Sequence, residues 1–97
     1  MSVHIVRFTT EPENVSAVEE AIGDLFTAID AVKPSGIDYT AIRVGDSEFL
    51  LILRLDDAEV NPLTAIPEAI ALRTRIADWS GGPVPPVRSQ VLGRYSR

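Results

Sequence analysis

The 97-residue sequence contains no cysteine and a single histidine, His4. Without thiols there is no disulfide framework, no thiolate nucleophile and no Cys-based zinc site. One imidazole also excludes metal or haem motifs that need a pair of histidines. No apolar run approaches the roughly 20 residues of a membrane-spanning helix. The opening Met1-Ser2-Val3-His4-Ile5-Val6-Arg7 lacks the basic and apolar regions of a secretory signal, so a cytoplasmic protein is expected. Basic side chains are scarce, nine against fourteen acidic ones, and the resulting charge of −5 repels phosphate backbones; nucleic acid is not an expected partner. The Gly-x-Ser-x-Gly, P-loop and dinucleotide fingerprints are all missing, and no bound cofactor is expected.

What is present suffices for one packed domain over residues 1–97: hydrophobic residues make up 45% of the chain and charged residues 24%. Residues 3–9 are rich in β-branched and aromatic side chains and lead into Thr10-Glu11-Pro12-Glu13, a capping-box pattern with proline in the first helical turn. Val15, Val18, Ile22, Leu25, Phe26 and Ile29 then recur at helical spacing until Lys33-Pro34-Ser35-Gly36 stops them. Residues 37–44 and 48–55 are strand-like and joined by Gly45-Asp46-Ser47, a connection of hairpin length. A second helical stretch carries Leu63, Ile66, Ile70, Ala77 and Trp79, with Pro67 in its first turn. The Gly- and Pro-rich residues 80–86 form a stiff connector, and residues 87–95 read as a last strand.

The order β-α-β-β-α-β folds, through right-handed crossovers, into a ferredoxin-like α+β domain with a four-stranded antiparallel sheet and both helices on one face. Phe49-Leu50-Leu51-Ile52-Leu53 makes the third strand apolar on both faces, and Val3/Ile5 opposite Val6/Phe8 does the same for the first. Two helices cover one face only, and an uncovered apolar sheet exceeds the patch a soluble monomer exposes. A homodimer paired through that sheet face is therefore expected.

His4 lies on the strand face of Val6 and Phe8, where a lone imidazole serves either as a structural residue or as a ligand or proton contact. Arg7 and Arg54 end otherwise apolar strand faces, and each needs a carboxylate or a bound anion, whether a substrate or an acid of the partner copy. Tyr39 and Trp79 have rings of the kind that line pockets for planar ligands and equally fill cores. Asp56, Asp57 and Glu59 lack calcium-loop spacing and read as a solvated loop, so no metal site is expected.

Taken over nearly its whole length, the chain resembles the dimeric α+β barrel superfamily, and within it the antibiotic-biosynthesis-monooxygenase-like domains. The resemblance rests on the opening strand Val3-His4-Ile5-Val6-Arg7-Phe8, the helix over 12–32, the apolar hairpin, and the stretch from Asn61-Pro62-Leu63 to Trp79 before a final strand. It implies a cofactor-independent monooxygenase-like enzyme that oxidises a small aromatic or polyketide-like molecule in a pocket between sheet and helices. His4, Arg7, Tyr39, Arg54 and Trp79 are then the substrate-pocket candidates. The family's haem-degrading branch uses a first-strand asparagine and a second-helix histidine, and this sequence has neither. The same fold also houses proteins without enzymatic activity, so a non-enzymatic small-ligand-binding or structural homodimer is the alternative reading.

Overall fold

The computed structural model describes residues 2–57 and 59–95. Strand β1 (Ser2–Thr9) leads through a 3₁₀ turn (Pro12–Asn14) into helix α1 (Val15–Val32). Strands β2 (Ile37–Val44) and β3 (Glu48–Leu55) follow, then a second 3₁₀ turn (Pro62–Ala65), helix α2 (Pro67–Ser80) and strand β4 (Val87–Ser89). The sheet order is β2-β3-β1-β4 with every pair antiparallel, and this is the ferredoxin-like arrangement.

Pleating decides which residues share a face. Ser2, His4, Val6 and Phe8 of β1 stand opposite Leu55, Leu53, Leu51 and Phe49 of β3, and this row points toward the helices. Phe8 and Phe49 are cross-strand partners with centroids 5.4 Å apart, and they share one buried core with Val18 and Leu25 of α1 and Leu72 and Ile76 of α2. Full burial of each such side chain contributes about 1.5–3 kcal/mol. The other face carries Val3, Ile5, Leu50 and Ile52, as the alternation in both strands requires.

Both helices stop for local reasons. Pro34 disfavours a right-handed helical residue before it and so prevents α1 from running on; Lys33 leaves the helix in the left-handed conformation (φ 53°), and its N–H closes the last turn on the Ile29 carbonyl at 2.8 Å. Helix α2 ends at Gly81 (φ 80°), where the absence of a Cβ permits the left-handed cap.

Three expectations are corrected. The capping box does not form, because the 3₁₀ turn at Pro12 delays α1 until Val15; the Thr10 hydroxyl instead donates to the Trp79 carbonyl (3.5 Å) and accepts from Asn14 (3.3 Å). In α2 the inward residues are Leu72 and Ile76, while Ile70 is 57% exposed: a helix started by Pro67 brings 69, 72 and 76 onto one side and turns 70 away. The last strand is short, spanning Val87–Ser89 rather than 87–95. Ser89 already pairs with Val3, so one further step reaches the first residue of β1 and the ladder runs out of partner. At its other end, Pro85 and Pro86 have no N–H to donate. Residues beyond the strand turn onto the helix-free face, where Val91 and Arg94 share a hollow with Val3, Ile52 and Arg54.

Candidate functional site

A cleft lies between the sheet and α2. Its deeper part, about 200 Å³ and half open to solvent, is lined by His4 and Val6 of β1, by Leu53 and Leu55 of β3, and by Asn61 and Pro86. A shallower part of about 110 Å³ shares Val6, Leu51 and Pro86 with the first and continues to Ala69, Arg73 and Ile76 on α2. An apolar cavity of about 150 Å³ accepts a benzene ring. The deeper part therefore has room for one aromatic ring.

Polar groups occur at both ends. His4 is half-buried, and its Nε2 lies 3.0 Å from Oγ of the buried Ser2, its neighbour two positions earlier on the same strand face. When Nε2 carries the proton and donates to Ser2, Nδ1 keeps a lone pair; in the other tautomer Nδ1 is a donor. Asn61 was not singled out by its sequence context. Its Oδ1 accepts the Leu63 N–H at 3.0 Å, which fixes the amide and leaves the NH₂ group as its remaining donor. The signal for it is the Asn-Pro pair ahead of an apolar run, the usual entry to a helical turn.

The remaining candidates do not converge on this cleft. Tyr39 shares the cross-strand row of His4, with Leu53 between them, but its ring stacks on Phe26 of α1 at 5.5 Å and 11°, outside the cleft walls. Burial pushes its hydroxyl pKa up to about 12. Trp79 lies at the far end of the sheet: its carbonyl meets Thr10, six residues or about 20 Å of strand from His4. There its half-buried ring holds the Arg75 guanidinium 4.6 Å from its centroid.

Arg7 and Arg54 are on the helix-free face. Arg7 donates through Nε to Glu48 at 2.8 Å, which raises its pKa, and it stays largely in solvent. Arg54 approaches Asp38 at 3.8 Å and Asp56 at 3.9 Å. Both arginines thus meet acids of their own chain. Asp57 accepts the Glu59 N–H (2.9 Å), an ordinary loop turn, and among the described residues no cluster of three or more His, Asp or Glu could hold a metal ion. Among those same residues no helix is long and apolar enough to cross a membrane.

Solved structures share this architecture. A Nitrosomonas europaea protein of unknown function superposes with a TM-score of 0.74 at 18% identity, covering 99% of this chain and 93% of its own. The Mycobacterium tuberculosis protein Rv0793 gives 0.75 at 19% identity and 98% coverage of both chains. A second Nitrosomonas europaea protein, described as a candidate antibiotic biosynthesis monooxygenase, gives 0.73 at 19% identity, covering 96% of this chain and all of the other. The chain has the fold of antibiotic-biosynthesis-monooxygenase-like domains. No family model matches it, and no curated protein does.

Proposed function

We propose that the protein is a cofactor-independent, monooxygenase-like enzyme that oxidises a small phenolic ring held between the sheet and α2. The observation that supports this most is His4, an imidazole in the wall of an otherwise largely apolar, ring-sized cleft, in a fold shared with a candidate monooxygenase. With Nε2 donating to Ser2, Nδ1 accepts the phenolic proton, and the phenolate is electron-rich enough to reduce O₂ directly. The reaction balances without a cofactor. A phenol and O₂ give a quinone and water: one oxygen atom replaces the hydrogen on the para carbon as a carbonyl, the other leaves as water, and the ring supplies all four electrons. The Asn61 amide donates to the developing ring oxygen.

Oxygen uptake with a panel of monocyclic phenols that carry hydrogen at the para carbon tests this. Turnover that incorporates ¹⁸O from ¹⁸O₂ into the quinone, and that falls about 100-fold or more in His4→Ala, is the expected result. A panel that binds without consuming oxygen removes the enzymatic reading. In that case the second reading applies, a non-enzymatic ligand-binding homodimer, which is favoured by His4 having no carboxylate or second imidazole beside it on the cleft wall.

The dimer belongs to both readings. Its basis is the helix-free sheet face, where Ile5, Leu50 and Ile52 are half-buried and Ile42 and Val44 are 43% and 42% exposed. The chain's own residues cover that face only where Val91 and Arg94 cross it, near Val3.

A further inference from the structure

Arg73 sits at the junction between the cleft and the outside. Ala69, Leu72, Arg73 and Ile76 occupy one side of α2 at steps of three and four, so the arginine stem runs beside the apolar residues lining the shallow part of the cleft. The same side chain lines an outer groove of about 320 Å³, formed with Thr74, Ala77 and residues 83–85. Arg73 therefore touches the inner hollow on one side and solvent on the other. Among the described residues no carboxylate pairs with it, whereas Arg7, Arg43 and Arg54 all meet acids. Its neighbour Arg75 is engaged by the Trp79 ring.

The charge distribution is the second observation. The chain carries fourteen acidic side chains against nine basic ones, yet no acidic residue lines either part of the cleft. An anion is repelled by the molecule as a whole but meets only cationic or neutral groups within the cleft. The cleft is also polarised along its length, with hydrogen-bonding groups (His4, Asn61) at the deep end, an apolar middle (Val6, Leu51) and a guanidinium at the mouth.

We infer that the cleft takes an aromatic carboxylic acid, ring inward and carboxylate outward on the Arg73 guanidinium. This deepens the proposed function and rests on its assignment of the cleft as the ligand site. A guanidinium offers paired donors matched to a carboxylate, and at a half-open mouth the charge stays partly hydrated, so the ligand need not desolvate it fully. Arg73 is accordingly a specificity-determining residue. His4 keeps its role at the opposite end.

The test compares 3-hydroxyphenylacetate with its primary amide, which has the same shape and no charge. Binding is followed by calorimetry and by the imidazole resonances of His4, an unambiguous reporter because it is the only histidine. The acid is expected to bind about fivefold to tenfold more tightly than the amide, with the preference weakening as salt is raised. Arg73→Ala should abolish the preference while leaving amide binding within about twofold, and Arg73→Lys should retain part of it. Position 73 is exposed and both replacements are good helix formers, so the variants fold. Arg88, the cross-strand partner of His4, is the control. A preference that survives Arg73→Ala and vanishes in Arg88→Ala overturns the inference, as does equal binding of acid and amide with His4 shifted by both; either result leaves the cleft assignment standing. If neither probe moves the His4 resonances, the cleft assignment fails and the inference falls with it.

Discussion

Tyr39 and Phe26 stack at 5.5 Å with their rings 11° from parallel, which ties the edge strand β2 to helix α1. The contact closes the helix side of the sheet at its β2 edge and places the Tyr39 hydroxyl in an environment that resists ionisation.

That resistance gives an alkaline signature. A tyrosine ordinarily ionises near 10.0, and burial pushes Tyr39 to about 12. Between these values the unfolded chain has released a proton that the folded chain retains, so stability is fully present below pH 10 and falls as pH rises toward 12. The slope is about 1.4 kcal/mol per pH unit. A tyrosinate absorbance titration should show a late phase from Tyr39, near pH 12. Tyr39→Phe should remove that phase; an unchanged titration curve in Tyr39→Phe above about pH 11 would contradict the burial.

Phe49 is the centre of the core, 2% exposed and stacked on Phe8. Phe49→Ala should cost about 3–5 kcal/mol, a large part of the stability of so small a domain. Phe49→Leu should cost appreciably less and remain folded. Urea denaturation of the two variants measures the difference, and equal costs would show that the site collapses around either replacement.

Gly81 and Gly82 are adjacent and should respond differently. Gly81 holds φ 80°, so Gly81→Ala should destabilise by about 1 kcal/mol. Gly82 has no such backbone demand, and a Cβ there meets nothing within 4 Å. Gly82→Ala should change stability by less than about 0.5 kcal/mol. Thermal unfolding of the pair separates backbone conformation from space.

Light scattering over a dilution series should give twice the chain mass at micromolar concentration. Ile52→Lys puts a charge in the middle of the helix-free face, next to Ile5 in the ladder, and should yield a folded monomer with unchanged helix content. A wild-type chain that is monomeric at these concentrations removes the sheet-face dimer.

The first three strands and their inner faces were legible because a two-residue period admits one solution when one face must be buried: β2 and β3 have the bounds the alternation predicts, whereas β4 stops at Ser89. Helix α2 was harder. Its residues Leu72 and Ile76 carry the packing, but Ile70 looks equally apolar in sequence, and only the phase set by Pro67 separates them. The candidate site was legible in part. His4 was named from its strand face, whereas Asn61 reaches the same cleft through a 3₁₀ turn 57 positions away, and no local pattern relates the two.

Composition and periodicity by themselves determined the element order, the ferredoxin-like fold and the existence of two apolar sheet faces, because these follow from local propensity and the side on which each residue must fall. Only the tertiary structure decided which polar groups meet. Arg7 and Arg54 went to the helix-free face beside Glu48, Asp38 and Asp56, Trp79 to the far end of the sheet, and His4, Asn61 and Arg73 to one cleft. Such meetings depend on strand register and on where α2 and the connector over 81–86 come to rest. Those are long-range outcomes of packing that no stretch of sequence specifies alone.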